Sequence, residues 1–156
     1  MRSEDTLVIG KYFEEFEVGM TITSPGRTIT ESDIVSFAGL SGDYTQIHTD
    51  VEFSKSSPLG RRVAHGLLGL AVASGLAART GVLEGTALAF REINDWKFIK
   101  PIFIGDTVHV LMTVIEVKGL PRLGGGAVSI ELRVINQNEE TLMKGVWKVL
   151  MASQPE

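Results

Sequence analysis

The sequence of 156 residues contains no cysteine. This absence excludes disulfides, thiolate metal sites and a cysteine nucleophile, and it agrees with a reducing, cytoplasmic location, which we expect. Aromatic residues are few, at 7% of the chain, whereas 44% of the residues are hydrophobic and 22% are charged. Such proportions are typical of globular proteins, and the length predicts one domain over residues 1–156.

An excess of positive charge is lacking as well, since the formal net charge is -4. We therefore expect no nucleic-acid partner. A membrane-spanning run is also missing, because the most apolar stretch, residues 63–78, is shorter than the roughly 20 residues that cross a bilayer. This stretch predicts a buried helix, and we expect no membrane association. The polar segment at residues 1–11 has no features of a secretory signal.

Two segments carry the signals of a helix. Thr30 can cap a helix start, with Asp33 three positions later to complete a capping box, and Gly42 can end that helix. A longer helix is predicted from about residue 64 to residue 80. Its apolar residues lie all round the helix and its many small residues keep it slim, so we expect protein to cover it on most sides.

The second half of the chain predicts a sheet. Residues 127–136 alternate between apolar and polar side chains, which is typical of a half-buried strand. The predicted strands are residues 87–93, 96–99, 106–118, 127–136 and 141–151, with a turn at Asn94-Asp95. Short connections favour an antiparallel sheet. The fold class is therefore α+β, with one long buried helix against a curved antiparallel sheet, and an exposed apolar face of that sheet leads us to expect a homodimer.

Asp43 and His48 are the first candidates for chemistry, in a polar and irregular segment between the two predicted helices. An imidazole titrates near neutral pH, and a carboxylate can orient it or share a water molecule with it, so the two can divide acid–base work. Loops on a rigid scaffold commonly carry such residues. The alternative is that Asp43 caps a local turn and His48 is an ordinary surface residue.

Gly66 and Ser74 are candidates on the predicted long helix. Gly66 falls in the first turn, where backbone N–H groups lack an intrahelical acceptor, and the missing side chain lets a ligand oxygen approach. Its N–H could therefore stabilise a developing negative charge. Ser74 lies two turns further on the same face and could assist a ligand. The alternatives are that Gly66 permits helix–sheet contact and that Ser74 bonds back to its own helix.

The remaining histidines, His65 and His109, give weak signals. Three histidines without a matching carboxylate spacing are poor evidence for a metal site, and none is predicted. His109 alternates with apolar residues in a predicted strand, which favours a structural role. The glycines at 124–126 lack the lysine and the strand-to-helix context of a phosphate loop, and they predict a hairpin.

In combination, these motifs resemble a known family. The segments SGDYTQIHTD at residues 41–50, AHGLL at 64–68 and SGL at 74–76 resemble the MaoC-like family of (R)-specific enoyl-CoA hydratases and acyl dehydratases. The resemblance covers most of the chain and includes KFIKP at 97–101 and GDT at 105–107. It implies the hot-dog fold, in which a sheet wraps a long central helix.

The resemblance also implies roles for the candidate residues. Asp43 and His48 match the catalytic pair, and Gly66 matches the glycine whose N–H polarises the thioester carbonyl. Ser74 matches a helix serine that supports the site. His65 matches a histidine that is not usually assigned the chemistry.

The implied reaction adds water to a trans-2-enoyl-CoA, or dehydrates an (R)-3-hydroxyacyl-CoA, in fatty-acid or related acyl-CoA metabolism. The expected partner is the acyl-CoA substrate, and no cofactor is expected beyond the coenzyme A that this substrate carries. The family commonly has Asn-Pro where this chain has Thr45-Gln46, which leaves the loop geometry and the substrate choice open.

Two alternatives keep the same scaffold. One is a 3-hydroxyacyl-acyl-carrier-protein dehydratase, for which a basic rim of Arg61, Arg62, Lys97 and Lys100 would be the sign, although the same cations could meet CoA phosphates. The other is a non-catalytic acyl-CoA-binding hot-dog subunit. The acyl length is not predicted, and the candidates for the wall that closes the acyl pocket are Leu68, Leu70, Phe53, Phe90 and Trp96.

Overall fold

The computed structural model of the protein describes residues 10–156. Residues 1–9, which include most of the segment without the features of a secretory signal, lie outside the described residues. The helices are α1 (Glu31–Ser41), α2 (Gln46–Thr49), α3 (Val51–Lys55) and α4 (Gly66–Arg79). The strands are β1 (Thr21–Thr23), β2 (Arg27–Thr28), β3 (Ala87–Phe98), β4 (Thr107–Leu120), β5 (Gly125–Ile135) and β6 (Thr141–Ala152).

These six strands form one antiparallel sheet, which confirms the α+β class. The order is β1-β4-β5-β6-β3, and β2 pairs with another part of β4. Strand β5 lies in the middle of the sheet, and its side chains alternate as the sequence predicts except that Ser129, on the polar face, is buried. Its buried face is at most 1% exposed and consists of Val128, Ile130, Leu132 and Val134. Glu131, on the other face, is exposed.

Helix α4 packs against this sheet and supplies the centre of the core. Leu76 and Ala77 are fully buried, and Val72 is 3% exposed. Burying one such leucine or valine side chain contributes about 1.5–3 kcal/mol. The opposite side of the helix is open in the single chain, since Leu67 is 62% exposed. The expected cover is therefore present on one side, and the homodimer that would cover the other stays a prediction.

No helix within residues 10–156 combines the length and the apolar character that a membrane crossing requires.

The turn predicted at Asn94-Asp95 is wrong. Residues 87–98 form the single strand β3, whose pairing with β6 is interrupted by register shifts, one of them between Asn94 and Lys97. Asp95 lies in this bulge with a φ of 52°, in the left-handed region. Turns and bulges both use residues that tolerate left-handed backbone, so the local sequence does not separate the two.

Helix α1 delivers the chain to the candidate site. Thr30 and Asp33 form the predicted capping box at its start, each accepting a hydrogen bond from the other's backbone N–H. Gly42 ends the helix with a φ of 78°, a conformation that favours glycine. The reversal at Gly42 sets the direction in which the chain leaves the helix toward Asp43.

Candidate active site

Three short segments of the chain bring the candidate residues together. Asp43 follows the end of α1, His48 lies in α2, and His65 directly precedes Gly66, the first residue of α4. A carboxylate oxygen of Asp43, a ring nitrogen of His48 and a ring nitrogen of His65 all lie within 4.8 Å of one another. The structure therefore places the predicted pair together and adds a third titratable side chain to it.

Thr45 holds the carboxylate of Asp43. The Thr45 hydroxyl donates to Asp43 Oδ1 at 2.6 Å, and the Thr45 amide donates to the same oxygen at 3.1 Å. These hydrogen bonds, first the one from the hydroxyl, lower the pKa of the Asp43 carboxyl below its ordinary value, and the charges of His65 and His48 add to the effect. Asp43 is therefore ionised at neutral pH, with Oδ2 as the oxygen that can turn to a ligand.

A backbone carbonyl fixes the tautomer of His48. Its Nδ1 lies 2.7 Å from the carbonyl oxygen of Val63. A carbonyl oxygen only accepts hydrogen bonds, so Nδ1 must donate, and the neutral ring keeps its lone pair on Nε2. His48 is thus arranged as a base whose Nε2 can take a proton from a bound water molecule.

His65 is buried behind this pair, at 2% exposure. Its Nε2 lies 2.9 Å from the backbone carbonyl oxygen of Asp43. Its ring stacks on the ring of His48, with 3.9 Å between centroids, and also contacts Phe37 at 4.8 Å. The resemblance gave this histidine no chemistry, and its place before the predicted helix gave only a weak signal. The contact with Asp43 joins residues 22 positions apart, which only the fold brings together.

A cavity of about 340 Å³ opens beside His48 and Gly66. Its other walls are mainly apolar and include Phe98, Ile102 and Met143. An apolar cavity with a few polar groups at one end is typical of a small-molecule site. None of the five bulky residues that the sequence offered for the pocket wall lines this cavity, and Phe98 and Met143 take that place.

Gly66, the first residue of α4, lines this cavity. The N-terminus of α4 has no side-chain cap, and the N–H groups of a first turn lack an intrahelical acceptor and lie at the positive end of the helix dipole. A side chain at this position would also meet Phe98, because a Cβ would lie 2.9 Å from Phe98 Cε1. Both explanations for a glycine here, access for a ligand and close packing, therefore apply.

Ser74 and His109 lie apart from the cluster. Ser74 is two turns from Gly66, about 12 Å along the helix axis. It is exposed, and its hydroxyl donates to the carbonyl oxygen of Ala71 at 2.6 Å, so it bonds back to its own helix. Its supporting role stays a prediction. His109 pairs with Ile135 across the sheet, in keeping with a structural residue.

The geometry of the cluster favours acid–base chemistry over metal binding. His48 Nδ1 and His65 Nε2 are both engaged by carbonyl oxygens. The two rings are stacked with 27° between their planes. The nitrogen lone pairs of stacked rings lie in the ring planes and are therefore nearly parallel. A zinc ion needs nitrogen lone pairs that converge on it at about 2.0–2.1 Å. A water molecule held between a carboxylate and a bare imidazole nitrogen fits the arrangement better.

Comparisons with known proteins show the family to which the chain belongs. Residues 15–134 match the family described as MaoC like domain. The chain is 41% identical over 103 residues to Protein MaoC of Klebsiella aerogenes, which is 66% of this chain and 30% of that protein. It is 35% identical over 105 residues to the 3-hydroxybutyryl-CoA dehydratase of Methylorubrum extorquens, and the match covers 67% of this chain and 64% of that protein. Identity to the (R)-specific enoyl-CoA hydratase of Rhodospirillum rubrum is also 35%, over 112 residues, with 72% and 74% covered.

The chain thus spans less than a third of the Klebsiella protein and less than two thirds of the Methylorubrum protein.

Solved structures confirm the hot-dog fold. A protein described as a monoamine oxidase regulatory protein, from Archaeoglobus, superposes with a TM-score of 0.86 at 35% identity, covering 94% of this chain and 97% of the other. An unliganded R-hydratase from Pseudomonas aeruginosa gives a TM-score of 0.76 at 28% identity, with 92% and 86% covered. A Mycobacterium tuberculosis protein with a double hot-dog fold gives 0.82 at 17% identity, with 94% and 46% covered.

Proposed function

Because the chain belongs to the MaoC-like domain family of hydratases and dehydratases, we propose that it is a hydro-lyase acting on trans-2-enoyl-CoA and (R)-3-hydroxyacyl-CoA thioesters. One observation carries the proposal: Asp43 lies beside His48, whose Nδ1 is hydrogen-bonded to a backbone carbonyl oxygen, and His48 and Gly66 both line an apolar cavity. The pathway would be fatty-acid or related acyl-CoA metabolism.

The proposed mechanism is acid–base catalysis at one water molecule and needs no metal or prosthetic group. Asp43 and His48 hold the water against the β-carbon of the enoyl thioester. His48 Nε2 takes a proton as the water oxygen bonds to that carbon, and the pair returns a proton to the α-carbon, so the enzyme ends unchanged. Negative charge that builds on the thioester oxygen is stabilised by the Gly66 N–H.

We favour coenzyme A over an acyl-carrier protein as the carrier of the acyl group. An acidic carrier protein would need a basic rim at the cavity mouth. Two of the four cations predicted for that rim, Arg62 and Lys100, are paired with Glu31 and Glu140, which leaves fewer free charges for a carrier protein and for CoA phosphates alike. The preference for coenzyme A follows the two relatives that are named for CoA thioesters. A comparison of rates on crotonyl-CoA and on crotonyl carrier protein separates the two, and a carrier-protein rate that exceeds the CoA rate would reverse the preference.

The proposal is tested by hydration of crotonyl-CoA, followed as loss of the enoyl absorbance. The wild type is expected to be active. The variants Asp43→Asn and His48→Gln are each expected to lose roughly 100-fold or more in kcat/KM, the typical contribution of a positioned acid or base. His109→Gln is the matched control, because this histidine lies on the sheet outside the cluster, and its rate should equal that of the wild type.

Two results would end the assignment in different ways. Variants of Asp43 and His48 that are as active as the wild type would remove the pair from the chemistry. A wild type that hydrates no enoyl-CoA of any chain length, yet binds acyl-CoA, would favour the non-catalytic acyl-CoA-binding subunit.

A further inference from the structure

The buried imidazole of His65 takes no part in the proposed acid–base steps, yet it contacts both residues that perform them. Its Nε2 is hydrogen-bonded to the backbone of Asp43, its face is stacked on His48, and the next residue along the chain is Gly66. The three working groups of the site are thus each one contact or one peptide bond away from a single side chain.

We propose that His65 is a positioning residue that holds Asp43 in register with His48 and with the N-terminus of α4. The inference rests on the proposed hydration function, because it concerns the alignment of that site. It does not make His65 a catalytic residue, since the ring acts through its neighbours.

The need for such a support follows from the other hydrogen bonds of Asp43. Its amide is bonded to the hydroxyl of Ser41 at 3.1 Å, and its carboxylate is bonded to Thr45. These partners are only two residues away and move with the same segment. The hydrogen bond from His65 reaches across from the start of α4, so it fixes that segment relative to the helix whose first residue lines the cavity.

The packing of His65 makes it a rigid support. The ring is 2% exposed and lies against both His48 and Phe37, which leaves it little freedom to rotate. Its Nδ1 is buried without a hydrogen-bond partner among residues 10–156. An N–H at Nδ1 would have no acceptor, whereas an N–H at Nε2 donates a hydrogen bond to the Asp43 carbonyl oxygen. The packing therefore favours the tautomer that holds Asp43.

A rival explanation is that His65 only stabilises the core. That role would reduce the fraction of folded protein and leave kcat of the folded enzyme unchanged. A positioning role lowers kcat of the folded enzyme while KM changes little, because the substrate cavity itself is lined by other residues.

Two substitutions separate the contacts of His65. His65→Phe keeps a ring against His48 and Phe37 but removes the N–H donor, whereas His65→Gln places an N–H near the position of Nε2 and removes the stacked ring. With crotonyl-CoA we expect His65→Phe to lose roughly 10- to 100-fold in kcat, the scale of a small misplacement of a catalytic group. His65→Gln should recover most of that loss. Wild-type kcat in folded His65→Phe would overturn the inference.

A measurement on the wild type covers the case in which His65→Phe fails to fold. The ¹⁵N NMR signals of the imidazoles report which ring nitrogen carries the proton. We expect the Nε2–H form for His65 and the Nδ1–H form for His48. A neutral His65 with its proton on Nδ1 could not hold the Asp43 carbonyl, and the inference would be lost.

A third readout distinguishes failure of this inference from failure of the proposed function. If the wild type hydrates no enoyl-CoA, the carboxyl ¹³C signal of Asp43 is titrated in the wild type and in folded His65→Phe. Because His65→Phe would release the backbone of Asp43 and so weaken the Thr45 hydrogen bonds that are the main cause of its lowered pKa, we expect that pKa to rise in the variant. An upward shift would keep His65 as a support in a protein of another function, and an unchanged titration would overturn the inference.

Discussion

Thr45 gives an exposed aspartate a fixed and ionised carboxylate. Its hydroxyl and amide both donate to Asp43 Oδ1, so one carboxylate oxygen is committed to the protein and the other is left for the reaction. In this chain a threonine performs the local hold, while Gln46 begins α2 and so starts the helix that carries His48.

The hydrogen bonds from Thr45 predict how the charge of Asp43 depends on pH. Because the pKa of Asp43 is lowered in the folded protein, its charge persists above the lowered value and is lost only as the pH falls through that value. Thr45→Val removes the largest cause of the lowering, so the acid limb of the Asp43 titration should move to higher pH. The measurement is a ¹³C NMR titration of the Asp43 carboxyl. Where kcat falls at low pH, the same shift is expected in the pH profile of kcat.

Thr45→Ser is the matched control for this prediction, since it keeps the hydroxyl and should titrate like the wild type. A titration in Thr45→Val that coincides with that of Thr45→Ser would show that the hydroxyl does not set the charge of Asp43.

Within helix α4, two glycines have different neighbours. A Cβ on Gly66 would meet only the ring of Phe98, an exposed side chain that can move at a smaller cost than a buried one. A Cβ on Gly69 would lie 2.9 Å from Ile102 Cδ1 and closer still to the end of Met143, both of them buried. The helix thus separates a glycine of the site from a glycine of the core.

The matched substitutions Gly66→Ala and Gly69→Ala should therefore fail in different ways. Gly69→Ala is expected to destabilise the fold by about 1–3 kcal/mol through overpacking, as measured by denaturant unfolding. Gly66→Ala should unfold like the wild type, yet it should lose roughly tenfold or more in kcat/KM, because a methyl group obstructs the amide that meets the thioester oxygen. Equal losses of stability in the two variants would contradict this division.

Helices and strands were predictable from the sequence wherever the signal is local. The capping box at Thr30 and the alternation in residues 127–136 depend on side chains a few positions apart, and both are confirmed. The bulge at Asp95 was mistaken for a turn because the pairing partner in β6 lies about 50 residues away, and that partner decides between the two.

In the candidate site, too, local motifs were predictive and long-range contacts were not. Asp43, His48 and Gly66 were found through motifs. The structure brings Asp43 and His48 together and places His48 and Gly66 at one cavity, and the roles of the three residues stay predictions. His65 and Phe98 could not be found in this way, since their importance comes from contacts with distant residues. The Asp-x-Thr spacing is a known local hydrogen-bonding pattern, and it was the one available signal for Thr45.

On the scale of the whole molecule, the single chain leaves apolar surface without cover. Strand β3 ends the sheet, and within residues 10–156 it pairs with β6 alone. Leu88 and Phe90 on this strand are 52% and 51% exposed, and Leu67 on α4 is 62% exposed. A free strand edge beside apolar side chains is a surface that proteins commonly cover. We propose a second copy of the chain as the cover, in agreement with the expected homodimer.

This proposal predicts that a charge on β3 separates the two copies. Ile93→Lys should lower the mass in sedimentation or light scattering from that of a dimer to that of one chain. The matched control is Ile115→Lys, because Ile115 on β4 is 44% exposed and Ile93 is 41% exposed. The control should keep the wild-type mass. A wild type that runs as a single chain at all concentrations would contradict the proposal.

The central claim is that Asp43 and His48 add water across the double bond of an enoyl thioester. The most direct measurement is the product formed from crotonyl-CoA in D₂O, analysed by mass spectrometry and NMR at early times. We expect 3-hydroxybutyryl-CoA with one deuterium at C2, formed by the wild type and almost absent with Asp43→Asn or His48→Gln. Release of free coenzyme A without the hydroxyacyl product, or equal deuteration by the variants, would contradict it.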